Sequence, residues 1–173
     1  PQGNAGVEAA FASPHNFSSW ATVSGGTYLD ASTLTGDLLV AADHTAGGVV
    51  GRLVTQNGLT THDSITMPGF TSHAVTSSWP YAYVSGRVAA SVSLRSDTLR
   101  TVRLRPTYTT ASSVGFAPPT NSSGPTGQSV SYAGRLYVAN AAGGNGLGQL
   151  LIFDLADPAT PSQPLGRPAV PCR

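Results

Sequence analysis

Four histidines, His15, His44, His62 and His73, and eight acidic residues are the side chains that could perform acid–base or metal chemistry. Two of the histidines stand beside carboxylates, as Asp43-His44 and His62-Asp63. Imidazole and carboxylate are zinc donors, but all ligands must lie within ~2.3 Å of the ion. The spacing argues against one shared site. If the strands alternate in direction, as set out below, His44 and His73 fall at one end of the sheets and His15 and His62 at the other. The segment from Val49 to Thr55, read as a strand at ~3.3 Å per residue, separates those ends by roughly 20 Å. At most two histidines can meet, so no metal and no cofactor is expected.

Other chemistries fare no better. Val84-Ser85-Gly86 lacks the first glycine of a nucleophile elbow. Glu8 is the single glutamate, and the aspartates fall at scattered turn positions, against a paired-carboxylate hydrolase. The tract Gly143-Gly144-Asn145-Gly146 looks like a phosphate loop, yet a strand pattern follows it, so no helix N-terminus waits for an anion. Arg95, Arg100, Arg103 and Arg105 cluster, and Arg103 and Arg105 share one strand face with Leu104 between them. Aromatics do not interleave with them, which argues for a solvated strand rather than nucleic-acid binding. Trp20, Trp79, Tyr81 and Tyr83 are expected to pack in the core, with a sugar platform as the second reading. Two sequons, Asn16-Phe17-Ser18 and Asn121-Ser122-Ser123, have meaning only in a glycosylating secretory route.

Composition narrows the class. Hydrophobic residues make up 40% and charged residues 10%, against ~25% charged in an average chain. Nine arginines, no lysine and eight acidic residues leave a net charge of +1. That excludes the basic footprint of a nucleic-acid or anionic-membrane binder. No apolar run reaches the ~20 residues of a membrane span. The chain opens at Pro1, as a processed or partial product would. Its single cysteine, Cys172, suggests a bond to another chain or an inert terminal thiol.

The elements that must position these residues are short and extended. Helical periodicity is absent, and Gly, Pro, Ser or Asn interrupts almost every stretch. The blocks LLVAAD at Leu38, YAYVSG at Tyr81 and RLYVAN at Arg135 repeat one pattern. Each is preceded by one strand pattern and followed by two more. Four strands at ~40–50 residues per unit is the period of a propeller blade. The expected units lie at about 6–24, 26–67, 72–105 and 127–168 within a single all-β domain, 1–173. Ile152 is expected to lie in the core, mid-strand in the most apolar run.

The segment from Arg135 to Gly166 resembles the LVIVD-type β-propeller repeat. It holds Tyr137-Val138-Ala139, a Gly turn, Leu150 to Asp154, Asp157-Pro158, Pro161 and Gly166. The resemblance implies a fold and carries no catalytic residues, because such propellers are mostly binding or surface modules. The fold expected is therefore a β-propeller-like array of about three and a half four-stranded blades, part of a larger propeller; the alternative is a β-sandwich. The function expected is a non-catalytic scaffold or interaction module, secreted or in a bacterial cell envelope, that binds a protein partner or the remainder of the propeller. Alternatives are a carbohydrate-binding surface module and a metal-dependent hydrolase on a propeller scaffold. The segment from Pro106 to Thr126 reads as one long loop, and long loops on rigid scaffolds carry binding. Tyr108, Phe116 and Asn121 in that loop, with His44, His73 and Asn145 on the same face, are the expected partner contacts.

Overall fold

The computed structural model describes residues 29–35, 38–43, 47–55, 58–89, 95–116, 126–140, 147–162, 165 and 169–171. Among them are twelve strands and no helix. The first expected unit, 6–24, the His15 and Trp20 positions, both sequons and Cys172 lie outside the described residues. No helix among the described residues is long and apolar enough to cross a membrane.

The strands form three four-stranded antiparallel sheets, each in sequence order. The first sheet holds β1 (Leu29–Thr35), β2 (Leu38–Asp43), β3 (Gly48–Thr55) and β4 (Gly58–Thr66). The second holds β5 (Phe70–Ser78), β6 (Tyr81–Ala89), β7 (Arg95–Arg103) and β8 (Thr109–Phe116). The third holds β9 (Thr126–Tyr132), β10 (Arg135–Asn140), β11 (Leu147–Asp154) and β12 (Ala169–Pro171). The sheets stack in chain order, with β5 against β1 and β2 and β9 against β5 and β6.

Side-chain alternation along a strand explains the stack. Ala82, Val84, Val102, Leu104 and Tyr108 point from the second sheet to the first, where they meet Leu38, Val40, Ala42 and Val49. Tyr83, Leu99 and Phe116 point the other way, toward Leu136, Val138, Leu151, Phe153 and Leu155 of the third sheet. The middle sheet is thus apolar on both faces. Close approach is bought at one point by glycine: a Cβ on Gly51 would fall 1.9 Å from the Tyr108 hydroxyl oxygen.

Two expectations are corrected here. The segment 106–126 is not one loop, because Thr109–Phe116 is the fourth strand of the second sheet and pairs with β7 from Arg103↔Thr109 to Asp97↔Phe116. It reads as a loop because it is an edge strand with few apolar residues, of which Val114 and Phe116 face the third sheet. The third expected unit, 72–105, therefore extends past 105 to Phe116. The chain also runs unbroken from Tyr81 to Ala89 through Gly86, which the sequence presents as a turn. Gly86 stands there because a Cβ would lie 2.2 Å from the Thr71 carbonyl oxygen and 2.4 Å from the Phe70 ring.

Ile152 is also corrected. It is half-buried on the outer face of the third sheet, while its neighbours Leu151 and Phe153 are fully buried. Phe153→Ala is expected to destabilise the fold by ~3–5 kcal/mol through the cavity it leaves, and Ile152→Ala by clearly less. Denaturant titration of the two variants measures this; equal losses would contradict the assigned faces.

Candidate functional site

The sequence-expected partner contacts do not converge. His44, Asn121 and Asn145 lie outside the described residues. His73 is half-buried on β5, at the register shift between Ser72 and Ala74. Tyr108 is 6% exposed and Phe116 4%. Their rings fill the first and second inter-sheet cores respectively, leaving little surface for a partner. His62 is exposed in the middle of β4 rather than at a turn, with its ring 6.0 Å from that of Tyr108. Beside it, Asp63 accepts a hydrogen bond from the Tyr108 backbone N–H at 3.0 Å and one from the Ser64 N–H at 2.8 Å. That carboxylate therefore holds the entry of β8 in place. Among the described residues no group of three or more His, Cys, Asp or Glu side chains could hold a metal ion.

The arginines divide by face. Arg100 turns toward the first sheet, and its guanidinium carbon lies 4.5 Å from the centroid of the Phe70 ring. Burial holds its pKa below the usual arginine value. Arg103 and Arg105 flank buried Leu104 and are exposed, as the period of two requires. The guanidinium of Arg103 lies 6.0 Å from the Tyr81 ring centroid and that of Arg105 lies 5.3 Å from the Trp79 ring centroid. Trp79 is 48% exposed in the turn between β5 and β6, which corrects its expected place in the core. The strand bearing Arg95, Arg100 and Arg103 is interior to its sheet, between β6 and β8, so it protects no edge.

Opposite these turns, the Asp-Pro corner of the third sheet is built by its own carboxylates. Asp154 accepts from the Ala156 N–H at 2.9 Å, and Asp157 from the Ala159 N–H at 3.0 Å and from the Thr160 hydroxyl. The Thr160 hydrogen bond, then that from Ala159, holds the Asp157 carboxyl below its usual pKa. The Tyr83 hydroxyl donates to the Pro158 carbonyl oxygen at 3.1 Å, fastening the middle sheet to this corner. Residues Ser78, Tyr83, Tyr132, Arg135 and Pro158 line a cleft of about 220 Å³ at the same place.

At the other end of β6 and β7, Arg87 and Asp97 face each other in register and form a 2.9 Å ion pair. The Asp97 side chain is fully buried and that of Arg87 is 11% exposed. The pair lies at the opposite end of β6 and β7 from Trp79 and Arg103, and its role is structural. Sequence reasoning missed it, although Arg87 and Asp97, ten residues apart on either side of a Ser-containing segment, were the available signal.

Comparison with protein-family models and with curated proteins gives no match.

Two outcomes follow from this geometry. Asp97→Ala leaves the Arg87 charge buried without its partner and should cost ~3–5 kcal/mol, read by thermal and chemical unfolding. Burial, foremost, pushes the pKa of Tyr83 and of Tyr108 up to about 12 from 10.0. A raised pKa in the folded state means that the stability linked to the neutral phenol is complete below pH 10 and is lost as pH rises through about 12. Ultraviolet titration of the phenols should show late ionisation that vanishes in a Tyr83→Phe/Tyr108→Phe variant. A titration curve unchanged by those substitutions would contradict it.

Proposed function

We propose that this chain is a non-catalytic, propeller-type β-repeat scaffold that offers the outer face of its third sheet to a protein partner. One observation carries the reading: the face that is buried in the middle sheet is only partly covered in the third. On β6 and β7, the rows Tyr83 and Thr101 are buried beneath the third sheet. The corresponding row of the third sheet joins Val130, Tyr137 and Ile152 across β9, β10 and β11. Val130 is 57% exposed, and Tyr132 in the next row is 74% exposed. A contiguous apolar sheet face of this kind is an interaction surface.

The propeller reading is supported by the three consecutive four-stranded sheets, by the adjacency of their first strands β1, β5 and β9, and by the resemblance of Arg135 to Gly166 to the LVIVD-type repeat. In that reading the partner presents an apolar sheet face of its own: another copy of the chain, or a further unit of the same repeat. Sheet-on-sheet packing of two such faces at ~10 Å would continue the stack already present. Arg135 and Asp154, opposite one another on this face, would set the register. A secreted or cell-envelope setting is part of the same reading.

The test uses the whole chain. Sedimentation velocity over a range of concentrations should show self-association, together with uptake of an apolar dye by the free face. Val130→Asp with Ile152→Asp should abolish both while the β-sheet spectrum persists. A wild-type chain that neither associates nor takes up dye would contradict the proposal.

A further inference from the structure

The end of the stack that carries the tight turns holds a group of side chains that packing does not explain. Trp79 closes the turn between β5 and β6 with about half its surface open. Arg105 lies over its ring, and Arg103 over the ring of Tyr81. The backbone N–H of Leu104 donates to the Pro80 carbonyl oxygen at 2.8 Å, which locks the two turns together and fixes both arginines relative to the indole. On one side, Arg105, Pro106 and His62 line an open cleft of about 570 Å³. On the other, the cleft that begins at Ser78 runs on to Tyr132 and Arg135. Arg103, Arg105 and Arg135 are exposed and make no ion pair among the described residues. Asp157, next to the cleft-lining Pro158, is an exposed carboxylate engaged by its own turn.

We propose that this turn-bearing end is a binding site for an acidic oligosaccharide whose sugar rings carry carboxylates. A half-open indole gives a flat apolar surface against which the C–H face of a sugar can lie. A guanidinium stacked on an aromatic ring keeps its N–H edge free and pre-oriented, the geometry that grips a carboxylate with two parallel hydrogen bonds. The three exposed arginines, with Ser78 and Tyr132 lining the second cleft, suit a chain that carries both carboxylate and hydroxyl groups. Both clefts are open at the surface, so the ligand lies along the surface instead of entering a pocket. An acidic peptide fits less well. The strands end here in turns, which leave no sheet edge for strand addition and no apolar anchor pocket. Tyr132 and Arg135 also belong to the outer face of the third sheet, whereas Trp79, Arg103 and Arg105 belong to the second sheet and its turns, so variants at those three test this site independently of partner docking.

The test is calorimetric titration of the full chain with a short oligogalacturonate, with a neutral glucan of the same length and with a glutamate-rich peptide. The acidic saccharide should bind at least about tenfold more tightly than the neutral one, the equivalent of a single charge-assisted contact. Added salt should weaken only the acidic ligand. Trp79→Ala and Arg105→Gln should each cost about tenfold in affinity with the melting temperature held. Because Trp79→Ala could loosen its turn, the indole N–H resonance of Trp79 in the wild type is followed as well and should shift on adding oligogalacturonate. Equal affinity for the acidic and neutral saccharides, absence of binding to either, an unmoved indole resonance, or equal affinity for the peptide would each overturn the assignment.

Discussion

Strand β6 has no solvent face, and the rest of the structure depends on that. Ala82 and Val84 enter the core shared with the first sheet, while Tyr83 enters the core shared with the third. A strand apolar at both parities can be satisfied only by cover on both sides, since each exposed apolar side chain forgoes the favourable transfer out of water. The first and third sheets supply that cover and are held to the middle sheet by it. Contacts between the outer sheets are not needed for the stack to hold. Small hydroxyl residues such as Ser85 and Thr101 are buried along the strands, and two polar links mark the ends. Arg87–Asp97 closes one end of β6 and β7, and the Tyr83 hydroxyl reaches Pro158 near the other.

The same constraint gives the functional reading its direction. The proposed docking face of the third sheet follows the same pattern, because its outer row corresponds to the row that is buried in the middle sheet. The turn-bearing end has a different origin. Trp79 and Arg105 sit on connections and Arg103 at a strand end, where their removal leaves the inter-sheet cores intact. Residues that packing does not require are free to serve recognition.

Much of the fold was legible in the sequence. The period of LLVAAD, YAYVSG and RLYVAN correctly placed the second strand of every sheet, and the first sheet emerged nearly whole. The Asp-Pro corner was legible because its hydrogen bonds are local, between residues at most three apart. What depends on distant neighbours was not. Gly86 has the signature of a turn, and only the Phe70 ring across the sheet shows why it lies inside a strand. Ile152 and Phe153 are equally apolar, so sequence cannot say which of the two faces inward. Thr109 to Phe116 is nearly polar because one of its faces is open, and with it the supposed binding loop became a strand and its Tyr108 and Phe116 became core. Trp79 was assigned to packing on residue type alone, whereas its exposure follows from its place in a turn.

The account rests on cover on both faces of the middle sheet, and native-state hydrogen exchange measures that most directly. Amides of β6 and β7 should exchange only through global unfolding, because opening either strand breaks into both cores at once. Amides of β9 and β11 in the free chain should exchange through smaller openings, with lower free energies. If β6 and β7 exchange as readily as the third sheet, the middle sheet is not the structural centre and the stacked arrangement is wrong.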